Sequence, residues 1–118
     1  MSSSNIISDG ASAAERRERT RVAVRQTLTY DFYDDTGQKL GVGIGTTVNV
    51  GEDGMMLTTD KFLQPGMQML VEIISHLFVF MATARVVHAA EIGDTLYQVG
   101  LRYVEVIQGD WSIIDANR

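Results

Sequence analysis

The chain has 118 residues, no Cys and one Pro, with 45% hydrophobic and 21% charged residues. These values predict one globular domain around a single core, and they exclude a disulfide framework, a thiolate metal site and a cysteine nucleophile. Ten Lys and Arg against fifteen Asp and Glu leave a net charge of −5, which excludes a general binder of nucleic acid or of an anionic membrane, because neutralising phosphates takes an excess of cations.

Residues 1–14 (MSSSNIISDGASAA) have neither the cationic start nor the apolar run of a secretory signal and read as a flexible tail. The next stretch concentrates charge. Between Glu15 and Arg25 stand five of the ten cations, Arg16, Arg17, Arg19, Arg21 and Arg25, with two acids, for a local charge of +3. Residues 26–118 carry −7. One cationic segment on an acidic body predicts a focused anion site, not a basic face.

From Val22 the pattern turns to period two. Val22, Val24, Leu28, Tyr30 and Phe32 share one face, and Gln26 alone interrupts it, which predicts one half-buried strand. Asp34-Asp35-Thr36-Gly37 reads as a hairpin turn. A second strand covers 38–50, where Gly41, Gly43 and Gly45 fall on one face and mark a bend or a close backbone approach. The run Gly51-Glu52-Asp53-Gly54 is a second turn, and 55–59 a short third strand. Gln64-Pro65-Gly66 predicts a turn with positive φ at the glycine. Strands over 67–74 and 77–88 meet at Ser75-His76. Gly93-Asp94 lies in the turn before a sixth strand over 96–106, and Asp110 is placed to cap a short helix over 109–117 that packs Trp111 on the strands. The longest uninterrupted apolar run in the most apolar region, 77–82, is far below the roughly 20 residues of a spanning helix. No membrane insertion is expected, and the expected location is cytoplasmic.

Six short strands about ten residues apart, with almost no helical period, predict an all-β protein: a six-stranded antiparallel barrel whose closure removes its edges. The expected division is a tail over 1–14, an arm over 15–21, a barrel over 22–106 and a C-terminal helix over 109–117.

Two segments stand out from a plain barrel. One is Arg16-Arg17-Glu18-Arg19-Thr20-Arg21, just ahead of the first strand. The other is Asn49-Val50-Gly51-Glu52-Asp53-Gly54, between the second strand and the third. Together they resemble the PilZ domain, a family of bacterial receptors for cyclic di-GMP. Its RxxxR motif is matched by Arg17 and Arg21, with Arg16 as the extra arginine often found in front. Its [D/N]xSxxG motif is matched by Asn49 and Gly54, with Gly51 where the family has serine. Leu63-Gln64-Pro65-Gly66-Met67 is similar to a turn of the family, and Arg85-Val86-Val87 and Tyr97-Gln98-Val99-Gly100-Leu101-Arg102-Tyr103 are similar to its last two strands. The resemblance covers about residues 15–106.

The resemblance implies a PilZ-like barrel and a site for cyclic di-GMP formed by Arg16, Arg17, Arg21, Asn49, Gly51 and Gly54. It implies no cofactor. It also implies a downstream protein partner in motility, adhesion or exopolysaccharide synthesis. The residue chemistry agrees. Arginine presents a planar fork that binds phosphate, or guanine O6 and N7, bidentately, and it stacks on bases. Asn49 offers donor and acceptor to a guanine edge, while Gly51 and Gly54 allow a tight turn with exposed backbone N–H groups. Ligand would then tie the arm to the barrel wall, an order–disorder switch. Glycine at position 51 removes one hydroxyl hydrogen bond, worth ~0.5–1.5 kcal/mol, which weakens binding without abolishing it. The extra Arg16 resembles the pattern associated with an intercalated ligand dimer; one or two bound ligands both remain open.

Two other readings compete. A degenerate PilZ-like adaptor that binds only protein draws on Gly51. A barrel for single-stranded nucleic acid would need stacking aromatics in a cationic groove, whereas Tyr30, Phe32, Tyr97 and Tyr103 lie on apolar strand faces of an acidic body. Elsewhere the residues read as structural. His76 and His88 are a turn and a strand-end residue without a third metal ligand, the methionines fill core gaps, and Asp34-Asp35 and Glu52-Asp53 are turn acids. No Ser-His-Asp, P-loop or zinc-protease pattern occurs, so no enzyme is expected.

Overall fold

The computed structural model describes residues 21–76 and 78–109. The expected tail, the arm up to residue 20 with Arg16 and Arg17, and the expected helix apart from Gly109 lie outside the described residues.

The strands are β1 (Val22–Ala23), β2 (Thr27–Tyr33), β3 (Lys39–Val50), β4 (Gly54–Thr59), β5 (Gln68–Ile74), β6 (Val79–Gly93) and β7 (Leu96–Gln108). All pair antiparallel. In space they follow β3-β2-β5-β6-β7-β4, and β4 pairs back onto β3. The result is the closed six-stranded barrel that the period-two pattern predicts, with β1 laid as a short extra strand along the end of β3.

Alternation decides what fills it. Leu28 and Tyr30 of β2, Met55 and Leu57 of β4, and Met69, Val71 and Ile73 of β5 point inward and are buried. So do Phe80, Ala82, Ala84 and Val86 of β6 and Val99 and Leu101 of β7. The glycine row of β3 supplies the space for two rings. Gly43 stands opposite Tyr30 and Gly41 opposite Phe32. A Cβ at Gly43 would lie 2.4 Å from the Tyr30 ring, and one at Gly41 3.1 Å from that of Phe32. The missing side chains are therefore a bed for the aromatic rings of the neighbouring strand. The buried Tyr30 hydroxyl meets Thr59 Oγ1 at 2.6 Å, and burial raises its pKa above the ordinary phenol value.

The single first strand expected from 22 onward is divided. Between β1 and β2 the Thr47 hydroxyl enters the ladder: it donates to the Val24 carbonyl and accepts from the Gln26 N–H at 2.8 Å. Thr47 N–H in turn donates to the Gln26 carbonyl at 2.9 Å. A buried threonine so satisfies the backbone groups freed where the strand breaks, and Gln26, the one polar residue on the apolar face, marks the place.

The turns follow their chemistry. Gly37 and Gly66 have φ of +91° and +97°. Asp34 Oδ1 accepts from the Thr36 hydroxyl at 2.6 Å and from the Thr36 and Gln38 N–H groups at 2.9 Å each, and the Thr36 hydroxyl leads in holding this carboxyl below its usual pKa. The last hairpin differs from expectation. β6 runs to Gly93 and β7 to Gln108, so the turn shrinks to Asp94-Thr95, and Thr95, not glycine, takes the positive φ of 50°. His88 consequently sits inside β6, opposite Gly100, instead of at a strand end.

Candidate ligand-binding site

β1 determines where the site forms. Val22 pairs with Val50 and Ala23 with Asn49, so Arg21 arrives beside the β3–β4 turn, 28 residues further along the chain. Its Nη1 donates to Asn49 Oδ1 at 3.4 Å, and its Nη2 lies 3.7 Å from Asp53 Oδ1. The two segments singled out in the sequence therefore meet at one end of the barrel, through Arg21 and Asn49. Arg16 and Arg17 lie outside the described residues.

The glycines of the turn work differently from expectation. The Gly51 N–H donates to the Gly54 carbonyl at 2.8 Å, and both residues are buried. The N–H of Gly51 closes the turn and is not a free donor for a ligand. Gly54 makes room for β7 instead: a Cβ there would stand 2.0 Å from the Leu101 carbonyl oxygen. The exposed N–H expected at Gly51 is thus corrected, because the turn needs that group to close itself.

Two residues read from sequence as structural belong to this site. Asp53, taken for a turn acid, faces Arg21. Tyr103, on the inward face of β7, donates its N–H to the Asp53 carbonyl at 3.0 Å and so ties the turn to β7. Its ring packs on Phe80 with centroids 5.6 Å apart. Burial raises the Tyr103 hydroxyl well above its ordinary pKa; the Arg21 charge opposes that rise and Asp53 reinforces it. The only sequence signals were the position of Asp53 within the second motif and the inward phase of Tyr103.

Three polar atoms here are buried without a hydrogen-bond partner among the described residues: Arg21 Nε, Asp53 Oδ1 and Tyr103 Oη. A buried orphan hydroxyl contributes nothing to offset its desolvation. Tyr103→Phe is therefore expected to leave stability unchanged or to raise it by up to about 1 kcal/mol. A denaturant-unfolding midpoint reads this directly, and a loss above that size would reveal a partner for the hydroxyl.

The arrangement is suited to recognition. A guanidinium with an unused Nε stands beside an amide and a carboxylate, which is hardware for an anion or a base edge. Among the described residues no group of three or more His, Asp or Glu is placed to hold a metal ion. A cavity of about 740 Å³ on the outer face of β2, β3 and β4, lined by Val42, Ile44 and Thr58 among others, includes neither Arg21 nor Asn49.

No protein-family model matches the chain, and no curated protein matches it in sequence. Among solved structures it is similar to the PilZ domain with c-di-GMP of YcgR from Escherichia coli. The TM-score is 0.51 and the identity 14%, over 71% of this chain and 74% of that one. At that identity the likeness is one of architecture: the closed six-stranded barrel described above is a PilZ-like fold.

Proposed function

We propose that this chain is a non-catalytic receptor for cyclic di-GMP. Arg21 and Asn49 form the fixed part of the site, and Arg16 and Arg17 on the preceding arm complete it. The contact at 3.4 Å between Arg21 and Asn49 carries this reading, because it unites the two motif segments on a fold shared with a domain solved with that ligand. Arg21 offers a phosphate or guanine fork through its Nε and Nη atoms, and Asn49 reads a guanine edge. Ligand binding orders the arm against the barrel, and the new surface signals to a downstream protein in the control of motility, adhesion or exopolysaccharide synthesis.

A second reading has its own support. The Gly51 N–H is used internally and the Arg21 guanidinium already faces Asp53, as suits an adaptor that binds nucleotide weakly or not at all.

Calorimetric titration with cyclic di-GMP separates the two. Wild type is expected to bind. Arg17→Ala and Arg21→Ala are each expected to bind on the order of 10- to 100-fold more weakly, the loss of charge-assisted bonds worth ~1.5–3 kcal/mol. Absence of heat with wild type at high ligand concentration would favour the adaptor.

A further inference from the structure

We infer that Asp53 is a specificity-determining residue of this site: its carboxylate stands in for a ligand phosphate at Arg21, and only a ligand able to replace it is admitted. The identity of that ligand rests on the cyclic di-GMP reading; the contact does not.

The geometry gives the reason. The Arg21–Asp53 separation of 3.7 Å is that of an ion pair and longer than the roughly 2.7–2.9 Å of a charge-assisted hydrogen bond. Arg21 Nε and Asp53 Oδ1 are both buried and without a hydrogen bond among the described residues. The pair thus neutralises the guanidinium only at ion-pair length while Nη1 is held by Asn49, and a partner that displaces the carboxylate and closes two bonds onto Nε and Nη2 is a better one. The Tyr103 N–H holds the Asp53 carbonyl at 3.0 Å and the Gly51–Gly54 bond closes the turn, so the Asp53 backbone stays in place and a carboxylate displaced from Arg21 remains near it. An incoming phosphate therefore meets a retained negative charge. A small anion gains only the Arg21 contact against that repulsion. A ligand carrying two phosphates and two guanines has other contacts to offset it.

The test uses the full chain as wild type, Asp53→Asn and Asp53→Glu. Each is titrated with cyclic di-GMP, with and without excess inorganic phosphate, and the Arg21 Nε–H resonance is followed by NMR. Asp53→Asn keeps the shape and removes the charge, so it is expected to bind cyclic di-GMP roughly threefold to tenfold more tightly. Inorganic phosphate should then compete in Asp53→Asn and not in wild type. Asp53→Glu should restore the wild-type behaviour. If wild type binds and Asp53→Asn binds no more tightly, the inference is overturned while the receptor reading stands. If neither binds cyclic di-GMP, that reading falls and the Arg21 resonance decides the inference. A shift of Nε–H by inorganic phosphate in Asp53→Asn alone supports it, and an identical response in both proteins overturns it.

Discussion

Gly54→Ala is expected to cost about 3 kcal/mol or more, the upper end for a side chain forced into filled space, and to lower the unfolding midpoint by on the order of 15 °C. The reason is that the added Cβ meets backbone. It would lie 2.0 Å from the Leu101 oxygen, 3.0 Å from the Leu101 carbonyl carbon and 3.2 Å from the Arg102 Cα. No rotamer change relieves such a contact; β4 and β7 have to separate. Gly54 pairs with Arg102 at the end of the β4–β7 ladder, and that ladder is part of the closed circuit of the barrel. The separation also reaches the site, since Tyr103 follows Arg102 and its N–H holds the Asp53 carbonyl. Thermal unfolding followed by circular dichroism checks the stability, and the Arg21 Nε–H resonance checks the site. A variant within 1 kcal/mol of wild type would mean that Gly54 does not seat β7.

This glycine shows how much was legible in the sequence. Gly54 was visible as part of a turn and of a motif resembling that of a ligand-binding family. Its contact with β7 was not, because nothing local reveals which strand will lie across a turn. The strands themselves were legible, since period-two burial is a local property of a barrel wall. So were the turns at Asp34–Gly37 and Gln64–Gly66, whose residue types fix the backbone. The glycine row of β3 announced a close approach, though not that Tyr30 and Phe32 would be the visitors. The break between β1 and β2 escaped because Thr47, a residue of another strand, provides the substitute hydrogen bonds. The last hairpin is longer than the sequence predicts because Gly93-Asp94 marks a turn from 89 onward, while pairing with β7 carries β6 on to Gly93.

At the site the same division holds. Arg21 and Asn49 were found through their motif spacing, and β1 brings them together by pairing with the end of β3. Asp53 and Tyr103 were missed in this role. An acid in a turn and an inward tyrosine are ordinary features, and only the packing places the first against a guanidinium and the second against the first.

Phe80→Ala is expected to be at least as damaging as the change at Gly54, through the opposite fault. Phe80 has 0% exposure and lies in the core near the start of β6, and truncating such a ring leaves a cavity and typically costs about 3–5 kcal/mol. That is a large share of the ~5–15 kcal/mol by which a domain of this size is stable. The ring also supports Tyr103 at 5.6 Å and 53°, a tilted aromatic pair worth ~0.5–1.5 kcal/mol beyond its buried area. Tyr103 loses its bed, and with it the constraint on the strand that holds the Asp53 carbonyl. Phe80→Leu keeps more of the volume and is the informative comparison, because it preserves the fold while removing the ring. It should lose less stability than Phe80→Ala in urea and still broaden the Arg21 Nε–H resonance. An unchanged resonance in Phe80→Leu would show that the ring contributes to the core alone and that the ligand site is positioned without it.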